Sequence, residues 1–358
     1  MINDNHIFKN RLDEFYSGKL SLTDSYMYNK LPISIVDDYT GDAKIHSLEN
    51  VKFCYAPEGS SWTVHPVAVH DNKIVNISHK CLSYFSIINP PYTHGELLIR
   101  NVYNHLQTPG DFEVVEEPVF QFFDCFPYAP VHNLDDMYNL LYLHQKNNLN
   151  CKLLVPDTDN FYFNQSLVSL AKHFGLQYMK LKPTVKYLFK DFKCARQYHW
   201  AQSDALKWLY ENYIKKICRE YEGYPTHDNI SILKIAHKTN ASTVDVFQMT
   251  DSYEKLEKEK NVFNVNTLRD DLEYKIYVVN NAKNIIASFE SPYKVNIHKH
   301  CYDTSNKKFM VINGGYTRDI YSQFIPQGEG LYDFYGSQIN GHVTERISLD
   351  EVEKHLWF

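Results

Sequence analysis

The sequence predicts an α/β protein made of two βα series, preceded by a β-rich start. From Val131 onward, stretches of helical period alternate with short apolar runs, the pattern of a parallel sheet. A second series of the same kind follows "EGYPTHDN" (222–229), where Gly, Pro, Asp and Asn gather as they do at domain junctions. Length agrees, because 358 residues exceed what one core usually holds.

Taken in order, the opening "MINDNHIFKNRLDEFYSGKL" has no basic-then-apolar leader pattern and reads as an amphipathic helix. Residues 44–123 read as short strands. In "NVKFCYAPEGSSWTVHPVAVHDNKIVNIS" apolar and polar residues alternate around turns at Pro57-Glu58-Gly59 and Asp71-Asn72. The first βα series has a helix over 134–145, a strand over 152–155, a helix over 164–174 closed by Gly175, and a strand over 177–181. A longer helix spans 202–221, with Ala205, Leu209, Tyr213 and Ile217 recurring at every fourth position.

The second series has strands over 230–236, 262–265, 284–288 and 308–312, with helices over 251–260 and 269–282. "SLDEVEKHLWF" closes the chain as a capped helix, with Ser348 as N-cap and Glu351 at the capping-box position. The expected domains are 1–222 and 223–330, with a tail and helix over 331–358 crossing back toward the first.

Composition excludes several classes. Hydrophobic residues make up 44% and charged residues 22%, ordinary for a folded domain. The formal charge of −6 argues against a nucleic-acid partner, which needs a basic footprint. No apolar run reaches membrane-spanning length, so a cytoplasmic protein is expected. The seven cysteines are scattered and never spaced as CxxC, which fits reduced thiols and neither a disulfide framework nor a zinc site.

A polar knot, His132-Asn133-Leu134-Asp135-Asp136, sits at the start of the first series' leading helix. His132 and Asp136 stand four apart and share a helix face, with Asp135 three from His132. A carboxylate beside an imidazole fixes its tautomer and raises its basicity, which is how a general base is built. The alternative is capping: Asn133, Asp135 and Asp136 in a first turn would suit the helix dipole equally well.

"PVHNLDDMYNLLYLHQKNNLNCKLLVP" (130–156) resembles the family 61 glycosyltransferases, in which a helix with an H-F-x-x-[DE]-like start precedes an "LLVP"-type strand. "LEYKIYVVNNAKNIIASFESPYKVN" (272–296) resembles that family's "I..iNnAk.Ii" helix and strand, and "SILKIAHKTNAST" occupies the place of its strand and basic loop. The likeness covers about 112–324 in order. It implies a GT-B arrangement of two Rossmann-like domains, with an acceptor side in the first and a nucleotide sugar bound mainly by the second. It further implies an inverting enzyme that needs neither cofactor nor metal, with a nucleotide-sugar donor and a glycan or other hydroxyl acceptor as partners. His132 and Asp136 match the family's histidine and acid, as base and orienting carboxylate; Asp135 and Tyr128 fall on the acceptor side.

On the donor side, the loop after strand 230–236 offers His237, Lys238, Asn240 and Ser242, cationic and hydrogen-bonding groups suited to a diphosphate. After strand 284–288, Glu290 can accept from ribose hydroxyls and Ser291 can meet phosphate. Ser291 before Pro292 also fits a plain helix cap. Here the chain departs from the family, with Phe289-Glu290-Ser291 where many members carry His-Gly-Ala. That departure favours the alternative of a non-catalytic sugar- or nucleotide-binding scaffold. "PDTDN" (156–160) imitates the DxD of metal-dependent glycosyltransferases but reads as a turn. "NIHKHC" (296–301) reads as surface, and "NGGY" (313–316) stays open.

Overall fold

A computed structural model describes residues 33–34, 45–57, 64–75, 93–123, 130–195, 203–232, 258–259, 261–268, 271–288, 307–313, 332–335, 338–339 and 342–343. The chain is mixed α/β and divides into two compact units, Met1–Gln202 and Ser203–Phe358. The boundary lies ahead of helix 203–220, whereas the sequence places it behind, at 222. The reason is packing: Cys218 and Tyr221 lie against the second unit's core of Ile230, Val278 and Ile285.

In the first unit, β1 (Ile33–Ser34), β2 (Ile45–Pro57), β3 (Val64–His70) and β4 (Lys73–Val75) precede helix α1 (Thr93–Gln107). Then come β5 (Glu113–Val115), β6 (Val119–Gln121), α2 (Pro130–Lys146), β7 (Lys152–Pro156), α3 (Phe161–Phe174), β8 (Tyr178–Leu181) and β9 (Tyr187–Ala195). They form one nine-stranded sheet, in the order β1-β4-β3-β2-β9-β6-β7-β8, with β5 also beside β9. Strands β6 to β9 are mutually parallel, while β2 runs antiparallel to β9 from Ile45↔Ala195 to Phe53↔Tyr187. The β-rich start is therefore no addition to the βα sheet. It is the same sheet, joined through β9, a strand that the sequence reading missed.

Two helices correct the expected outline. α1 occupies a region read as short strands; its Ile99, Val102 and Leu106 recur at helical spacing and are buried with Cys54, Val67 and Val69. α2 begins at Pro130, four residues before the expected start. Proline suits that position, since its missing N–H would have had no intrahelical partner and its φ is already helical.

The first core is aromatic. Phe53 is fully buried, its ring centroid 5.7 Å from Phe189, 6.0 Å from Phe192 and 6.2 Å from Phe123. The tip of Tyr55 donates to the carbonyl of Leu181 at 2.8 Å and so satisfies its own buried hydroxyl. Residues 182–186 lead back past β7 and β6 into β9, pinned by the Thr184 N–H on the Tyr55 carbonyl at 2.8 Å.

In the second unit, helices α4 (Ser203–Leu209) and α5 (Lys215–Glu220) are joined by a π-helical turn, Tyr210–Ile214. Here the predicted single helix is interrupted for a geometric reason. Ala205, Leu209, Tyr213 and Ile217 are all buried, yet on an α-helix a strict four-residue spacing drifts by about 40° per step. A wider turn absorbs that drift and keeps Tyr213 and Ile217 on the buried face.

The sheet that follows contains β10 (Asn229–Ile232), β11 (Phe263–Asn264), β12 (Asn284–Ser288), β13 (Lys308–Asn313) and β14 (Tyr332–Tyr335), with helix α6 (Leu272–Asn281) between β11 and β12. All its pairings are parallel, in the order β11-β10-β12-β13-β14. A short antiparallel pair, β15 (Gln338–Ile339) and β16 (His342–Val343), stands apart from it. Asp271 caps α6, its carboxylate accepting from the Tyr274 N–H at 2.8 Å. Most of the expected helix 251–260 and all of helix 348–358 lie outside the described residues. Among the described residues no helix is long and apolar enough to cross a membrane.

Candidate functional site

In open α/β sheets, ligands bind beyond the carboxyl ends of the strands, where the strand order reverses. Each sheet has such a point. In the first unit the chain runs from β6 to β7 to β8 on one side and then places β9 on the other side of β6. α2 is the helix that follows the carboxyl end of β6. In the second unit β11 lies on one side of β10 and β12 on the other, with Ile232 level with Ala287.

His132 and Asp136 occupy positions 3 and 7 of α2, one turn apart on one face. Because the helix starts at Pro130, its first turn holds no acidic residue. Asp135 and Asp136 thus lie deeper than the first turn, while Asn133, the third residue of the capping alternative, falls within it. The face carrying positions 132 and 136 continues through Asn139 and Leu143, which are 5% and 8% exposed. Side-chain positions at 132, 135 and 136 lie outside the described residues, as does Tyr128.

The donor-side candidates follow the other reversal. His237, Lys238, Asn240 and Ser242 come after β10, and Glu290 and Ser291 come directly after β12. All six lie outside the described residues; the structure describes the strands they leave. Those are the two strands that flank the reversal. Residues 296–301 and 314–316 also lie outside, while Asn313 is the last residue of β13.

The DxD-like turn has another occupation. Asn160 is the N-cap of α3, its side chain accepting from the Phe163 N–H at 3.0 Å. The Thr158 hydroxyl accepts from the Asn160 N–H at 3.0 Å, and Asn164 donates to the Thr158 carbonyl at 2.8 Å. This is a capping turn. Gly175 ends the same helix at φ 63°, where its N–H reaches the Ala171 carbonyl. Asn160→Ala should cost about 1 kcal/mol, read as a lower urea midpoint at unchanged slope.

Not every histidine of α2 is available for chemistry. His144 is buried, Nδ1 facing the Gln145 amide at 3.3 Å and the ring against Phe120 at 5.8 Å. Burial holds its imidazole below the ordinary 6.5, and burial does the same to His105, whose Nε2 lies 3.1 Å from the Thr184 carbonyl. As pH falls through 6.5 the unfolded chain protonates these rings first, so folding loses stability below that pH and is unaffected above it. Urea unfolding at about pH 7.5 and about pH 5.5 should show the lower midpoint in acid, and His144→Gln should shrink the difference.

Thiol chemistry finds little support among the described residues. Cys54, Cys151, Cys194 and Cys218 are unpaired. Burial pushes Cys54 and Cys194 up to about 12 and Cys151 and Cys218 up to about 11, which keeps all four protonated at neutral pH.

Sequence reasoning missed one group altogether. Lys215, Arg219, Lys283 and Lys307 line a common hollow in the second unit. Lys215 and Arg219 stand four apart on one helix, but Lys283 and Lys307 lie more than sixty residues further on, and no local spacing joins them to that pair. Comparison of the chain with protein-family models and with curated proteins finds no match.

Proposed function

We propose that the chain is an inverting glycosyltransferase, moving a sugar from a nucleoside-diphosphate donor to a hydroxyl acceptor. The observation that supports this most is the coincidence of two independent readings. The candidate base sits on the helix that follows the strand-order reversal of the first sheet. The candidate donor loops leave the two strands at the reversal of the second. Parallel strands that reverse order in this way, as all of the second sheet and β6 to β9 of the first do, are the usual frame of nucleotide-binding domains, and the reading takes both units as Rossmann-like, in the GT-B manner.

In this reading His132 accepts the proton of the acceptor hydroxyl while Asp136 holds the ring in the required tautomer. The acceptor oxygen bonds to the anomeric carbon as the bond from that carbon to the diphosphate oxygen breaks, with inversion. His237, Lys238, Asn240 and Ser242 meet the departing diphosphate, where negative charge develops. Glu290 holds the ribose hydroxyls, and Ser291 donates to phosphate. No metal is required, because the cationic loop supplies the countercharge.

The Phe289-Glu290-Ser291 turn favours a second reading, a binding scaffold without transfer activity. One experiment separates the two. Melting temperature is followed against a panel of nucleoside diphosphates and nucleotide sugars, with manganese or chelator. Saturation at a hundred times the dissociation constant stabilises by about 2.7 kcal/mol. A chelator-insensitive shift for one nucleotide, together with release of that nucleoside diphosphate when acceptor hydroxyls are supplied, supports transfer. A shift without release supports a nucleotide-binding scaffold, and no shift for any nucleotide removes the transferase and leaves the sugar-binding form of the scaffold.

A further inference from the structure

We propose that the second unit binds a phosphorylated, hydroxyl-rich small molecule at the amino ends of β12 and β13, the opposite end of that sheet from the strand-order reversal. A cavity of about 620 Å³ opens there, within the usual range of small-molecule sites. One wall is α5, on which Lys215, Arg219 and Glu222 recur along one face into the following turn. The facing wall is the last turn of α6, with Lys283 and Lys307, which immediately precede β12 and β13.

Four cations and one carboxylate, Glu222, line the cavity, and two further carboxylates, Glu211 and Asp228, pair with two of those cations. The cations are engaged to different degrees. The Lys307 ammonium donates at 2.6 Å to the carbonyls of both Asn280 and Ala282, a fixed charge that neutralises the carbonyl end of α6. Lys215 pairs with Glu211 at 2.7 Å, and Lys283 pairs with Asp228 at 2.9 Å. Those pairs are well exposed to solvent, where an ion pair is weak and readily exchanged for a better acceptor. Arg219 has no ionic partner among the described residues, and its fork of N–H donors matches phosphate oxygens two at a time.

The rest of the wall suits the remainder of a sugar phosphate. The Asn281 side-chain nitrogen donates to the Tyr277 carbonyl at 2.9 Å, which leaves its amide oxygen to accept from a hydroxyl, and the ring of Tyr210 offers a flat face for a pyranose. Tyr210 reaches the cavity from the π-helical turn, a distortion that recurs at functional sites. The Lys215 ammonium lies 5.2 Å from its ring centroid, so cation and aromatic face are already assembled.

This site does not depend on the glycosyltransferase reading, and its test keeps the two apart. The full chain is titrated calorimetrically with glucose 1-phosphate, inorganic phosphate and uridine diphosphate. Glucose 1-phosphate is expected to bind more tightly than inorganic phosphate. Arg219→Ala should weaken it at least tenfold and Arg219→Lys by less, both with unchanged melting temperature and unchanged affinity for uridine diphosphate. Failure of glucose 1-phosphate to bind, or binding indifferent to Arg219, overturns the proposal. Binding of uridine diphosphate reports on the reversal-point site and leaves this one untouched.

Discussion

His132→Ala is expected to lower sugar transfer by about three powers of ten, within the range general-base catalysis supplies, while donor affinity stays nearly constant. The asymmetry follows from the division of roles in the proposed mechanism, in which His132 touches the acceptor proton in the transition state and the residues after β10 and β12 hold the donor. In kinetic terms kcat falls and the donor dissociation constant holds, the signature of an interaction made in the transition state alone. Asp136→Asn should fall less, because the imidazole remains and loses only its orienting carboxylate. The measurement is initial rate against donor and acceptor, beside calorimetric donor binding. Loss of rate and binding together, with a lowered melting temperature, would make His132 a structural histidine of α2.

Phe53→Ala should destabilise the first unit by about 3–5 kcal/mol, the range for deleting a buried aromatic ring. Phe53 is fully buried among Phe123, Phe189 and Phe192, and it sits on β2 where that strand pairs with β9. Its removal leaves a cavity at the seam that joins the antiparallel start to the parallel strands. The neighbouring rings, two on β9 and one just past β6, are held by their own backbone and cannot all move in to fill it. Denaturant unfolding, followed by tyrosine and tryptophan fluorescence, should show one transition shifted strongly and a second, from the other unit, near its original midpoint. A shift below about 1 kcal/mol would mean that the seam relaxes around the loss.

How much of the chain was readable beforehand follows from the range of the forces involved. α3 was evident from its helical period and Gly175, which lie within one short segment, although its start at Phe161 and its cap Asn160 were placed in the preceding turn. Strand β12 was evident for the same reason, as a brief apolar run between α6 and a turn. α1 was misread because its buried positions, Ile99, Val102 and Leu106, sit among polar and turn-forming residues that resemble strand punctuation. β9 was missed because "YLFKDFKCA" mixes lysines and an aspartate with aromatics. Its burial is imposed by β2 on one side and by β5 and β6 on the other.

The candidate site divides in the same way. The spacing of His132 and Asp136 is a local fact, and a helix turns it into a shared face. That the acids lie beyond the first turn depended on where Pro130 starts the helix. Of the cluster of Lys215, Arg219, Lys283 and Lys307, only the first two share a helix face, and nothing local joins them to the other two.

By itself, then, the sequence determined the α/β class and, among the described residues, the centres of α2, α3, α6, β7, β8, β12 and β13, because periodicity and capping act over a few residues. Only the tertiary structure decided that the β-rich start and the first βα series share one mixed sheet, that helix 203–220 belongs with the second unit, and where each strand order reverses. Those choices rest on strand pairing and apolar burial between segments tens of residues apart. Such pairings leave no period in the chain, and the same alternation of residues would serve several partners equally well.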